Sequence, residues 1–130
     1  MATILVVDDN LVVQRVVELT LRKAGYDVTT LSQPREVLRV LAENSYDLVI
    51  MDINMPEMDG ISLLSAIRQQ DNGEKIPVIM FTASSWDDDR RRAESAGADA
   101  YITKPISSRD LCDIVEETLA QAAAKEDSAS

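Results

Sequence analysis

The chain has 130 residues, of which 13 are basic and 23 acidic, and its formal net charge at pH 7 is −10. A protein this acidic repels phosphate backbones, so we expect no direct binding to nucleic acid. Its apolar runs are far shorter than the roughly 20 residues that span a bilayer, and its first residues lack the features of a signal peptide. These properties predict one cytoplasmic domain without membrane insertion.

The chain contains no histidine and one cysteine, Cys112. An internal disulfide is therefore impossible, and so are histidine metal ligands and nucleophiles activated by histidine. Any chemistry of this protein must use carboxylates, hydroxyls and lysine.

Short apolar and β-branched runs alternate with amphipathic stretches along the chain. The runs predict five strands, at residues 3–7, 27–31, 47–51, 77–82 and 100–103. The stretches between them predict helices, and the first of these ends at Gly25, where a helix C-terminus favours positive φ. This alternation predicts an α/β fold: a doubly wound five-stranded parallel sheet of order 2-1-3-4-5, with helices on both faces.

Polar side chains follow the predicted strands at their carboxyl ends. Because parallel strands point the same way, we expect these side chains to meet at one edge of the sheet. They are Asp8 and Asp9 after the first strand, Asp52 after the third, Thr82 at the end of the fourth and Lys104 after the fifth.

Three carboxylates brought together without a cation repel one another, so their convergence predicts a divalent metal. Mg²⁺ suits carboxylate oxygens, whereas Zn²⁺ favours ligands that this chain lacks at the site. A carboxylate beside Mg²⁺, a hydroxyl and a lysine can accept a phosphoryl group, because this transfer needs positioning and charge neutralisation more than proton chemistry.

Four motifs contain these residues, in this order: VVDDN with Asp8 and Asp9, LVIMDINMPEMDG with Asp52, MFTAS with Thr82, and GADAYITKPI with Tyr101, Lys104 and Pro105. Together they resemble the receiver domains of two-component response regulators, the family of the chemotaxis regulators. The resemblance covers residues 3–119 and implies a flavodoxin-like (βα)5 fold.

By this resemblance Asp52 is the phosphoacceptor. Asp9 and Asp52 are implied as direct Mg²⁺ ligands, Asp8 as a ligand through water, and Asn54 as a ligand through its backbone carbonyl. The residues at positions 54 and 84, an asparagine and a serine, are expected to flank the path of a hydrolytic water and to tune the lifetime of the phosphoryl group.

The same resemblance assigns the switch residues. Lys104 is implied to pair with the phosphoryl group, Thr82 to move toward it, and Tyr101 to turn inward when Thr82 moves. The family has a cis bond at the position of Lys104-Pro105. The output surface is implied to be the fourth helix, fifth strand and fifth helix, which would bind a downstream protein or a second copy of the chain.

The implied phosphoryl donor is a sensor histidine kinase or a histidine phosphotransfer protein. Such a domain catalyses only its own phosphorylation and dephosphorylation and is not otherwise an enzyme. We predict a receiver domain at residues 1–121 and a flexible C-terminal tail at 122–130; a truncated linker to an effector domain is the alternative interpretation of the tail.

Three rival functions share part of this pattern. A phosphatase like the haloacid dehalogenases also uses Asp, Thr, Lys and Mg²⁺, but it carries a second Asp where this chain has Asn54. A phosphorylation-independent interaction module would not need the complete set of site residues. The third alternative to a stand-alone regulator is a receiver fragment of a longer regulator with an effector domain.

The segment between the fourth strand and the fifth contains SSWDDDRRR. Ser85 is predicted to cap the fourth helix, with the three acids in the positive first turn and the three arginines following at helical spacing. The pattern indicates a solvated helix face.

Overall fold

A computed structural model describes residues 2–70 and 75–129, with side chains as far as Lys125. Its five parallel strands are β1 (Thr3–Val7), β2 (Asp27–Leu31), β3 (Leu48–Met51), β4 (Val78–Thr82) and β5 (Ala100–Thr103). The helices are α1 (Leu11–Lys23), α2 (Val37–Glu43), α3 (Gly60–Gln69), α4 (Asp87–Ala96) and α5 (Ser108–Ala129), and a 3-10 turn at Pro34–Glu36 precedes α2.

The parallel strands form one sheet in the order β2-β1-β3-β4-β5, which confirms the predicted fold. The third and fourth strands begin one residue later than predicted. Asp47 lies just outside its strand, where its carboxylate accepts a hydrogen bond from the Thr3 N–H at 2.8 Å. Pro77 has no N–H to donate to a ladder, and its carbonyl accepts from Val49 at 2.9 Å.

A second sheet, which the sequence did not predict, lies between β3 and α3. It is a hairpin of two short antiparallel strands, Asn54–Met55 and Met58–Asp59. Glu57 in its turn has a φ of 75°, in the left-handed region. The hairpin keeps the chain after Asp52 close to the edge of the main sheet.

The core lies in two layers, one on each face of the main sheet. Leu5 and Val7 of β1 point to the face covered by α2, α3 and α4, whereas Ile4 and Val6 point to the face covered by α1 and α5. Successive side chains of a strand alternate between faces, and here both faces are buried. This double burial explains why the central strands β1, β3 and β4 are almost unbroken apolar runs, whereas the edge strand β2, which is partly exposed, contains polar residues.

Helix α1 buries only a narrow part of its apolar surface. Val17 and Leu21 are buried against the sheet, while the apolar side chains of Leu11, Val12, Val16 and Leu19 are exposed. Its first turn is capped by Asn10, whose side chain accepts from the N–H groups of Val12 and Val13.

Helix α4 begins at Asp87, one residue later than an N-cap at Ser85 would require. Its N-cap is Trp86, which makes no side-chain cap bond, so the prediction that Ser85 caps this helix was wrong. The acids do occupy the first turn, and ion pairs join Asp88 to Arg91 and Asp89 to Arg92. The remaining arginine, Arg90, instead lies over the ring of Tyr101 in β5, 4.8 Å from its centroid.

Helix α5 continues to Ala129. This end lies about two turns beyond residue 121, the last residue of the predicted receiver domain. The flexibility predicted for residues 122–130 stays a prediction, and its last residue lies outside the described chain. Among the described residues, no helix is long and apolar enough to cross a membrane.

Candidate functional site

Three carboxylates meet at the carboxyl edge of the sheet. Asp8 and Asp9 follow β1, and Asp52 follows the neighbouring strand β3. One oxygen from each lies within 4.8 Å of the others. Asp8 and Asp52 are buried, with 4% and 8% of their surface exposed, whereas Asp9 faces solvent.

Lys104 brings a positive charge into this cluster from the end of β5. Its Nζ donates to Asp8 Oδ2 at 2.8 Å and to Asp52 Oδ2 at 3.2 Å. Its backbone N–H donates to the Thr82 carbonyl at 2.7 Å, and the Lys104-Pro105 peptide bond is cis. Lys104 therefore connects the two central acids with the last strands of the sheet.

Burial and pairing act in opposite directions on these groups. Burial raises the pKa of Asp8 above its ordinary value, although hydrogen bonds from Lys104 and from the Asn10 N–H partly offset the rise. For Lys104, burial acts to lower the pKa, but the hydrogen bond to Asp8 and the charge of Asp52 outweigh it, so the pKa is raised. Lys104 is therefore a firmly protonated cation beside two carboxylates.

Thr82 lies at the end of β4, fully buried. Its Oγ accepts a hydrogen bond from the Ser84 N–H at 3.2 Å. The Tyr101 hydroxyl donates to the Ser84 carbonyl at 2.8 Å. The structure therefore connects the two predicted switch residues, Thr82 and Tyr101, through the backbone of Ser84.

The loop after β3 folds tightly around Asp52. The Asn54 N–H lies 3.3 Å from Asp52 Oδ1, and the Gly60 N–H donates to the Ile53 carbonyl at 2.7 Å. A Cβ on Gly60 would lie 2.1 Å from the Asp52 carbonyl oxygen. Only glycine fits here, a role that sequence reasoning missed, since glycine after a turn has no single meaning in sequence. The metal-ligand role of the Asn54 carbonyl stays a prediction.

The donor set of this cluster suits a magnesium ion. All three acids offer hard carboxylate oxygens, and the exposed Asp9 leaves one side open to solvent. Mg²⁺ keeps several waters and usually takes one or two carboxylates together with phosphate oxygens. The residues present therefore fit such an ion. Lys104 holds two of the carboxylates, those of Asp8 and Asp52, in place.

Fold and site together define a response-regulator receiver. The family model for the response regulator receiver domain matches residues 4–116, and the chain belongs to this family. This membership confirms the resemblance that the motifs indicated.

The relatives of this chain include longer transcriptional regulators. The transcriptional regulatory protein PrrA of Mycobacterium tuberculosis is 42% identical over 108 residues, which are 83% of this chain and 46% of PrrA. This chain spans about half the length of the transcriptional regulators that it matches, between 44% and 54%.

Two solved structures have nearly the same backbone. The chemotaxis protein CheY4 of Vibrio cholerae is 30% identical, with a TM-score of 0.86, and 91% of this chain and 98% of that chain are covered. The receiver domain of the sensor histidine kinase PA1611 of Pseudomonas aeruginosa is 35% identical, with a TM-score of 0.85 and coverages of 92% and 98%. The PA1611 structure has a magnesium ion coordinated in its active-site cleft.

Proposed function

We propose that this receiver accepts a phosphoryl group on Asp52 in a Mg²⁺-dependent reaction, with a sensor histidine kinase or a histidine phosphotransfer protein as donor. The observation that carries the proposal is the contact of Lys104 with both Asp8 and Asp52, beside the exposed Asp9. A buried structural ion pair would need one carboxylate, whereas this site gathers three, two of which contact one lysine. Such an excess of acids is suited to a divalent cation that also binds phosphoryl oxygens.

The chemistry needs no general base. A carboxylate oxygen of Asp52 forms a bond to phosphorus, while the bond from phosphorus to the leaving nitrogen of phosphohistidine, or to the leaving oxygen of an acyl phosphate, breaks with its electron pair. A leaving imidazole takes up a proton from solvent, whereas a leaving carboxylate stays ionised at neutral pH. Asp52 needs only to be ionised and aligned.

A magnesium ion held by Asp8, Asp9, Asp52 and the Asn54 carbonyl would neutralise charge on the transferred group. Lys104 can neutralise a second part of that charge, because its ammonium group already contacts an Asp52 oxygen. The hydroxyl of Thr82 can donate to a phosphoryl oxygen. These roles match those that the resemblance implies.

The phosphoryl group would change a surface as well as a charge. It adds about 1.5 to 2 negative charges, which attract Lys104 and Thr82. Thr82 is joined through Ser84 to Tyr101, and Tyr101 lies under Arg90 of α4. We propose the α4-β5-α5 surface as the output face, where a downstream protein or a second copy would dock.

The output has two forms that the relatives support. As a stand-alone cytoplasmic regulator, the chain would signal by docking alone. As the receiver part of a longer regulator, it would control an effector domain. The match to transcriptional regulators of about twice this length supports this second form. In both forms the domain catalyses only its own phosphorylation and dephosphorylation.

The direct test is intact mass after incubation with acetyl phosphate and Mg²⁺. We expect one labile phosphoryl adduct on the wild type, none with EDTA, and none on Asp52→Asn. The matched control is Asp27→Asn, which removes an exposed acid from β2 and should keep the adduct. A folded wild type without adduct, tested also with a phosphorylated histidine kinase, would contradict the proposal and favour the interaction module. Turnover of p-nitrophenyl phosphate would favour the phosphatase.

A further inference from the structure

Asp89 differs from the two acids that precede it in the first turn of α4. The Asp88 side chain is 82% exposed, whereas that of Asp89 is 23% exposed. Asp89 Oδ2 accepts a hydrogen bond from the Ser84 hydroxyl at 2.5 Å. Asp89 therefore reaches back from α4 to the loop that follows β4.

Ser84 is buried, and each of its polar groups has a partner. Its N–H donates to Thr82, its carbonyl accepts from Tyr101, and its hydroxyl donates to Asp89. The same hydroxyl oxygen lies 3.4 Å from the Trp86 N–H, which donates to it. Because the side chain of Ser84 is held by Asp89, its backbone groups are held in place for Thr82 and Tyr101.

The second oxygen of Asp89 is fixed by a contact outside the loop. Asp89 Oδ1 lies 3.5 Å from Arg92 Nη1, and Arg92 Nη2 lies 3.3 Å from Asp59 Oδ2. Asp59 is the N-cap of α3 and accepts from the Ile61 N–H at 3.0 Å. The carboxylate of Asp89 is thus oriented from both sides, by Ser84 and by an arginine that is bound to the neighbouring helix.

This arrangement sets the direction of the Thr82 hydroxyl. The Ser84 N–H occupies one lone pair of Thr82 Oγ, so the hydroxyl hydrogen must point away from Ser84. Among the described residues, with side chains as far as Lys125, no acceptor receives that hydrogen. The hydroxyl is therefore a donor kept available for an oxygen that arrives at the site.

We propose that Asp89 is a positioning residue for the phosphorylation of Asp52. By holding the Ser84 hydroxyl, it keeps the Ser84 N–H on Thr82 Oγ, so that the Thr82 hydroxyl hydrogen is left for a phosphoryl oxygen when Thr82 moves toward the transferred group. A donor without a competing acceptor has no hydrogen bond to break when charge develops on the phosphoryl group, which favours electrostatic stabilisation. The inference rests on the proposed function of Asp52 and adds a residue that lies outside the cluster of acids and Lys104.

The test compares variants that remove the hydrogen bond with variants that keep it. Asp89→Ala and Ser84→Ala each remove it, whereas Asp89→Asn keeps a carbonyl oxygen that can accept from Ser84. Asp88→Ala removes the same charge from the same helix turn without touching the loop, and it serves as the matched control. The rate of adduct formation with acetyl phosphate and Mg²⁺ is followed by mass and by the emission of Trp86, the only tryptophan in the chain.

We expect adduct formation about three- to tenfold slower in Asp89→Ala and in Ser84→Ala, the range of one typical intramolecular hydrogen bond. The double variant should be no slower than the slower single variant, because both changes remove one interaction. Asp89→Asn and Asp88→Ala should stay within about twofold of the wild type. A purely structural role through the helix dipole or the arginine pair would instead slow Asp89→Asn as much as Asp89→Ala.

A second readout is independent of phosphorylation. In EDTA, the Ser84 and Trp86 amides should exchange hydrogen faster in Asp89→Ala than in Asp88→Ala. Equal adduct rates for these two variants, or effects of Asp89→Ala and Ser84→Ala that multiply in the double variant, would overturn the inference. If the wild type forms no adduct, the proposed function fails by itself, and equal amide exchange in the two variants would then reject the role of Asp89 separately.

Discussion

Lys104 and Asp52 form an ion pair across the carboxyl edge of the sheet, with 3.2 Å between Nζ and Oδ2, although they lie 52 positions apart in the chain. Asp52 directly follows the apolar strand β3, where a buried charge without a partner would be unfavourable. Lys104 compensates that charge, and it does the same for Asp8 at 2.8 Å. One lysine thus places a positive charge against two buried acids that lie side by side.

Replacing this lysine should destabilise the fold at neutral pH. Lys104→Met leaves Asp8 and Asp52 buried without their cation, and breaking a buried pair in this way costs about 3 kcal/mol. The loss should shrink at low pH as Asp8, whose pKa is raised by burial, becomes protonated. Urea unfolding of the variant beside Lys23→Met, an exposed lysine of α1, measures the difference. Equal stability of the two variants at pH 7 would show that the pairs contribute nothing.

Asp8 should be a source of instability in the absence of metal. Its pKa is raised by burial, so the folded state binds the proton more tightly than the unfolded state does. Binding of this proton therefore stabilises the folded state. The stabilisation is fully present below the pKa of Asp8 in the unfolded state, near 3.8, and it is lost as the pH rises through the pKa of Asp8 in the folded state. Asp8→Asn should therefore raise the free energy of unfolding at pH 7 in EDTA and have little effect at pH 3.

The same comparison with Asp27→Asn controls for the change in net charge, since Asp27 is exposed. If Asp8→Asn unfolds at a lower urea concentration than the wild type at pH 7, the hydrogen bond to Lys104 outweighs burial, contrary to the sign expected here.

Asp9 should stabilise the fold only when magnesium is present. Its side chain is exposed and makes no hydrogen bond to the described residues. Asp9→Asn should therefore not lower the unfolding free energy in EDTA, because it removes only a charge that repels Asp8 and Asp52. In the wild type, excess Mg²⁺ should stabilise the fold by about 1.4 kcal/mol for each tenfold rise in concentration, because it binds the folded state. Asp9→Asn should lose most of this increment, as measured by thermal unfolding across a Mg²⁺ series.

Asp110→Asn, an exposed acid in the first turn of α5, is the control for that series. A full Mg²⁺ increment in Asp9→Asn would remove Asp9 from the predicted metal ligands without affecting the other two acids.

Gly60 should tolerate no side chain. A Cβ there would overlap the Asp52 carbonyl oxygen at 2.1 Å and lie 2.8 Å from the Ile53 Cα, both of them backbone atoms that cannot rotate away. Gly60→Ala should therefore shift the loop that carries Asp52, with a loss of about 3 kcal/mol or more in stability and slower adduct formation.

Gly25→Ala provides the contrast, because this glycine has a positive φ of 103° but nothing within 4 Å of its Cβ position. Its loss should be about 1 kcal/mol, from backbone strain alone, with adduct formation unchanged. If Gly60→Ala matched Gly25→Ala in both readouts, the close approach to Asp52 would not restrict the site.

The strands could be predicted within one residue. A strand buried on both faces is an unbroken apolar run, and the polar or proline residues at its ends mark its limits in sequence. Helix α1 was less predictable, because apolar residues surround most of its circumference. Packing decided that Val17 and Leu21 are buried while Val12 and Val16 are exposed.

The predicted N-cap of α4, Ser85, was wrong for a related reason. Ser85 is a good capping residue by type, but the neighbouring Ser84 is drawn inward to Asp89, and the helix starts after Trp86. The capping preference of Ser85 is overridden here by the contact between Ser84 in the loop and Asp89 in the helix.

The sequence by itself determined that the acids after the first and third strands would meet Lys104 after the fifth. Parallel strands point their carboxyl ends to one edge, so chain order alone specified that meeting place. Only the tertiary structure decided the contacts of Ser84 with Asp89 and of Gly60 with Asp52. These contacts depend on how loops and helices pack together in space, at distances that no periodicity in the sequence encodes.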